Sequence, residues 1–101
     1  MVKITKDVAE KRLADVSDEV VFRCYDGQIL SNLEELENAL SDMPNETYGH
    51  HVSEEKNDFS TWVRDIIEDE KLANDLKKAV TKEQAAKAVS SRISLLGSKL
   101  G

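Results

Sequence analysis

One cysteine, one proline and no apolar run longer than three residues set the first limits on this chain of 101 residues. A lone thiol, Cys24, has no partner for an internal disulfide and excludes zinc sites built on several cysteines. The longest apolar stretches, such as Val20 to Phe22, fall far short of the about 20 residues a helix needs to cross a bilayer. The segment Met1 to Thr5 also lacks the apolar run of a secretory signal, so a cytoplasmic protein is the expectation. Missing too are the H-x-x-x-H and H-E-x-x-H spacings of helical metal sites and a carboxylate loop with its turn glycine.

What is present suits one domain with one core, residues 1–101. Apolar residues make up 40% and charged residues 34%, and the mean hydropathy of -0.50 describes a folded body with a heavily ionised surface. The net charge is -6, unevenly placed: residues 1–70 hold 7 Lys and Arg against 18 Asp and Glu, whereas residues 71–101 hold 7 against 2. Such asymmetry fits either a basic arm for an acidic partner or an acidic body that attracts its own C-terminal helix, and basic residues spaced through an apolar periodic pattern favour the second.

Periodicity predicts a mainly α fold, a small bundle of five or six short helices with one β-hairpin near residues 20–30. A first helix runs from Lys6 to Val16 behind a Thr5 cap, with Ile4, Val8, Ala9, Leu13 and Val16 as a ragged apolar stripe. Val20, Val21, Phe22 and Tyr25 lead to Asp26-Gly27, then Ile29-Leu30, which predicts a hairpin with both turn residues at φ > 0. Ser31-Asn32-Leu33-Glu34 has the form of a capping box and opens a helix carrying Leu33, Leu36 and Leu40. Pro44 falls in the first turn of a short helix through Tyr48, and His50 to Asn57 lacks a period and reads as a loop. The clearest element is Lys56 to Ile67. There Phe59, Trp62, Val63, Ile66 and Ile67 recur at i, i+3, i+4, i+7 and i+8, with Asn57 or Asp58 as the cap. A further helix from Asp69 turns Leu72, Ala73 and Leu76 inward. Thr81-Lys82-Glu83-Gln84 opens the last, a basic helix over about 81–96 that carries Ala85, Ala86, Val89, Ile93 and Leu96 and stops at Gly97.

Phe22-Arg23-Cys24-Tyr25-Asp26-Gly27, Leu33 to Leu40, His51-Val52, Lys56-Asn57-Asp58-Phe59, Trp62-Val63 and Asp69 to Ala73 together resemble an uncharacterised family of small prokaryotic domains, many of them archaeal. In that family a "DG" turn, a leucine-rich helix and an "HV…KNDF..WV.D" core occur in this order. The resemblance covers roughly residues 20–79. It brings no known activity, and a module that occurs alone or attached to other domains implies interaction or regulation.

Candidate binding residues are His51, Lys56, Asn57, Asp58 and Trp62, because they coincide with that string and include side chains able to do chemistry. Each also has a purely structural role open to it: a helix cap for Asn57 or Asp58, core filling for Trp62 with its N–H on a carbonyl, and a tie between loop and cap for His51. A metal site from His50 or His51 with Glu54, Glu55 and Asp58 lacks a ligand spacing. A cysteine nucleophile would pair Cys24 with His51 and an orienting Asn57 or Asp58, yet a cysteine alternating with Phe22 beside a turn reads as a small buried hydrophobe. In the last helix, Lys82, Lys87 and Arg92 are too few for a nucleic-acid stripe, and its small apolar residues suit helix packing better than a membrane. The chain therefore reads as a protein-interaction or regulatory module that needs no cofactor and meets an unidentified protein partner or a second copy of itself, with neither nucleic acid nor membrane. A small metal- or thiol-dependent enzyme using Cys24, His51 and Asp58 is the alternative.

Overall fold

In the computed structural model, which describes residues 4 to 100, each α-helix begins at a side-chain cap or at proline. Helix α1 spans Lys6–Leu13 with Thr5 Oγ1 accepting from the Val8 amide at 3.2 Å. It ends one turn before the predicted Val16, whose amide donates instead to the Ser31 carbonyl at 2.8 Å, tying the segment after α1 to the start of α2. Helix α2 (Leu33–Asp42) is capped one residue later than the capping-box pattern predicts. Asn32 Oδ1 accepts from the Glu35 amide at 2.7 Å, and Glu35, not Glu34, reaches back to the Ser31 amide at 2.6 Å. With this register Leu33, Leu36 and Leu40 are fully buried and Glu34 and Glu35 face water.

The hairpin pairs β1 (Phe22–Arg23) with β2 (Ile29–Leu30) in antiparallel register, Phe22 opposite Leu30 and Arg23 opposite Ile29. Its turn differs from the prediction. Gly27 alone of the pair has positive φ (97°), the Gly27 amide donates to the Cys24 carbonyl at 3.0 Å and the Cys24 amide to the Gln28 carbonyl at 2.8 Å. This is a three-residue loop, a β-turn followed by a left-handed glycine, rather than a two-residue turn. So short a ladder needs a surface to lie on, and Phe22 and Leu30 supply it by facing the core.

Helix α3 (Asn45–His51) starts behind Pro44 and runs past Tyr48 to take in His50 and His51, so those two histidines lie in a last helical turn and not in a loop. The chain then makes a tight turn closed by a Val52–Asn57 bridge and a Ser53 amide to Lys56 carbonyl bond of 2.9 Å. Helix α4 (Asp58–Trp62) continues into a π-helical stretch, Val63–Ile67, ended by Glu68 in the left-handed region at φ 66°. The wider turn leaves Ile66 half-buried while Val63 and Ile67 are buried. It also delivers Asp69, fully buried, as the cap of α5 (Glu70–Lys78). Helix α6 (Lys82–Ser98) is capped by Thr81 and passes through Gly97 without a left-handed stop.

The buried residues form one cluster, in which α2 packs on α6, α4 on α5, and α1 on both α2 and α6. A radius of gyration of 12.9 Å matches the value of about 13 Å for a hundred-residue domain. Inside it lies a buried charge. Asp69 accepts from Arg92 Nε at 2.7 Å and from a second nitrogen of the same guanidinium at 3.0 Å, with an Arg12 nitrogen 3.8 Å away. Its Oδ1 also takes the Leu72 amide at 3.1 Å. One carboxylate thus caps α5 and joins it to α6 and α1. Substituting Asp69→Asn keeps the shape and the cap acceptor but leaves the Arg92 guanidinium buried without a counter-charge, so a loss of about 3 kcal/mol in urea unfolding is expected. A loss below about 1 kcal/mol, the range of an exposed pair, would refute the role given to this pair.

Candidate functional site

The candidate residues converge where α3, the hairpin and the start of α4 meet. His51 is 6% exposed, with its ring set edge-on to Phe22 (centroids 5.1 Å) and tilted against Phe59 (5.1 Å), while Phe22 stacks on Phe59 at 4.9 Å. Both ring nitrogens are occupied. Nε2 accepts from the Tyr25 amide at 2.9 Å, so the proton sits on Nδ1, which donates to Asp58 Oδ2 at 3.0 Å. Lys56 Nζ donates to the same carboxylate oxygen at 3.2 Å. Burial pushes the Asp58 carboxyl up, but the hydrogen bonds from His51 and Lys56, with the charge of Lys56, hold it below its ordinary value.

Asn57 and Trp62 are engaged as well. Asn57 Oδ1 accepts from the Ser60 amide at 3.0 Å and caps α4, leaving Asp58 free for His51, while Asn57 Nδ2 donates to the Leu76 carbonyl at 3.2 Å. Trp62 Nε1 donates to the Val20 carbonyl at 2.8 Å and so fastens the short 3-10 turn Asp18–Val20 to α4. The structure therefore links His51, Lys56 and Asp58 in one hydrogen-bonded set, with Asn57 beside it capping α4, and places Trp62 on the neighbouring turn. Each polar atom named satisfies a backbone group or another member of the set, which is what a rigid joint requires.

Cys24 is buried in the same region. Burial, reinforced by the charge of Asp26, pushes its thiol up to about 11, the opposite of what activates a nucleophile. His51 has no ring nitrogen left to take a proton from it. Among the described residues, no three His, Cys, Asp or Glu side chains are grouped so as to hold a metal ion.

Two features lie beyond the residues singled out in the sequence. At the hairpin, Tyr25 is 57% and Ile29 54% exposed, yet the Tyr25 ring stacks on His50 at 3.9 Å and 23° while its amide is held by His51. Alternation signals Ile29 as outward-facing once Leu30 is assigned to the core; nothing in the sequence signals the Tyr25–His50 stack. Beside the joint, an open groove of ≈ 580 Å³ runs between the 53–56 turn and the end of α5, lined by Tyr48, Val52, Glu54, Glu55, Lys77 and Val80 among others. Comparison of the chain with models of protein families, with curated proteins and with solved structures gives no match in any of the three.

Two outcomes follow from the joint. Because its carboxyl is held low when folded, Asp58 contributes stability that is present above the unfolded carboxylate value of 3.8 and is lost as pH falls through the folded one. The stability difference between wild type and Asp58→Asn should accordingly be constant from neutral pH down to about 5 and shrink below about 4; a difference that grows on acidification would contradict the hydrogen-bonding scheme. Cys24 should react with iodoacetamide at neutral pH roughly a hundredfold more slowly than free cysteine, and an equal rate would mean an accessible, ordinary thiol.

Proposed function

We propose that the protein is a protein-interaction module that engages its partner through the outer face of the β1–β2 hairpin. The observation that carries this reading is Tyr25: a large aromatic side chain, more than half exposed, on a mount fixed by the His51 bond and the His50 ring. An aromatic residue held in place before contact loses little freedom on binding, and tyrosine is among the residues that dominate interface energies. Ile29, on the outward side of the same hairpin, adds apolar area. The net charge of -6 favours a partner with a basic surface through steering. The geometry gives less support to the enzymatic alternative, since His51 is committed at both nitrogens and the Cys24 thiol is raised. No helix among the described residues is long and apolar enough to cross a membrane.

The test is affinity capture from native extract with the wild-type chain and with a Tyr25→Ala, Ile29→Ser double variant. Both substituted side chains are exposed, and the Tyr25 amide that His51 needs is retained, so circular dichroism should be unchanged. A stoichiometric partner is expected with the wild type and is expected to be lost from the variant, since truncating an anchor costs upwards of about 1 kcal/mol of binding. Repeated capture of nothing, or undiminished capture by the variant, would sink the reading.

A further inference from the structure

The groove between the 53–56 turn and the end of α5 combines three properties. Its two sides carry opposite charge. Glu54 and Glu55 stand on the turn and Lys77 on the last turn of α5, and none of the three has an ion-pair partner among the described residues. Lys56, the other lining cation, is already committed to Asp58. The same lining includes the apolar groups of Tyr48, Val52, Ala79 and Val80, of which Val80 is 82% exposed. A valine so exposed at a helix junction gains nothing from the fold and much from being covered.

The third property is an unpaired polar atom. Tyr48 is 8% exposed, and its buried hydroxyl finds no hydrogen-bond partner among the described residues. Buried hydroxyls are ordinarily satisfied, so an orphan on the lining of a groove marks a place where an outside group completes the bonding. The two sides of the groove are pinned to each other at its base, because Asn57 closes the turn opposite Val52 and donates to the Leu76 carbonyl at 3.2 Å. The backbone segments that carry Glu54, Glu55 and Lys77 are therefore tied together at one point.

We propose that this groove docks an extended segment of a partner protein in which one apolar side chain stands between a basic and an acidic one. The apolar side chain covers Val52, Ala79 and Val80, the basic residue faces Glu54 and Glu55, and the acidic residue faces Lys77. A carbonyl of the segment supplies the acceptor that the Tyr48 hydroxyl lacks, reached by a small outward shift of the 53–56 turn. An open trough suits a peptide, whose backbone continues out at both ends, better than a small metabolite that must be enclosed on most of its surface. The groove shares no residue with the hairpin face, so the two surfaces are tested separately.

The experiment titrates the full chain with three blocked tripeptides, acetyl-Lys-Leu-Glu-amide, acetyl-Lys-Leu-Lys-amide and acetyl-Glu-Leu-Glu-amide, followed by amide NMR. Saturable shifts confined to residues 48–57 and 76–80 are expected with the first, and binding roughly fivefold or more weaker with the other two. In the exposed-site variant Lys77→Glu the preference should move to acetyl-Lys-Leu-Lys-amide. Tyr48→Phe should weaken binding of the first peptide without lowering the melting temperature, because the free protein has no bond to lose there. Equal response to all three peptides, response to none, an unchanged preference in Lys77→Glu, or a fall in the melting temperature of Tyr48→Phe would each overturn the proposal.

Discussion

Everything in this small bundle turns around a carboxylate that water never reaches. Asp69 is fully buried, and it is tolerated there because it is satisfied three times over: by the Leu72 amide of α5, by two nitrogens of Arg92, and by the nearby Arg12. Burying such a pair adds little net stability compared with an apolar filling of the same shape, whereas removing one member is severe. What the arrangement does supply is geometry. Arg92 can meet Asp69 in one rotation of α6 alone, which is the rotation that puts Ala85, Val89 and Leu96 into the core against α2. The π turn before Asp69 and the left-handed Glu68, whose backbone strain costs about 1–2 kcal/mol, are the local distortions that aim the carboxylate inward.

A second, milder version of the same device organises the other end of the molecule. His51 and Asp58 bind across 3.0 Å, and through the Tyr25 amide the histidine holds a hairpin too short to hold itself. The neutral imidazole is well suited to this, giving one donor and one acceptor in opposite directions from a flat ring that also packs against both Phe22 and Phe59. Neighbouring histidines thus divide the labour: His51 works inside, and His50 supports an aromatic outside.

Much of this was legible in the residues and some was not, for reasons that differ from place to place. The six helices and the hairpin follow from apolar period and caps. The start of α2 was one residue out because Ser31-x-x-Glu34 and Asn32-x-x-Glu35 both fit a capping box, and only the burial of Leu33 decides between them. The π turn was invisible, since Phe59, Trp62, Val63, Ile66 and Ile67 fit an ordinary helix; that pattern cannot register an extra residue in the last turn. Arg92 does carry a signal in the sequence: it stands on the Ala85, Val89, Leu96 stripe, where a cation needs a buried partner. The grouping of His51, Lys56 and Asp58 follows from their closeness along the chain, while the hydroxyl of Tyr48 and the groove beside it depend on how α3 and α5 approach each other, which no local pattern encodes.

The charge asymmetry along the chain takes on a different meaning once Arg92 is seen to reach Asp69. The stretch from the start of β1 to the end of α5 contains Asp69 but neither of the arginines that neutralise it. Cut at those limits, the fragment would carry a bare carboxylate at its centre and leave Leu33, Leu36 and Leu40 without the helix that covers them. The smallest autonomous folding unit therefore extends beyond that stretch at both ends, and any excision, fusion or transplantation of this domain has to keep α1 and α6 with it.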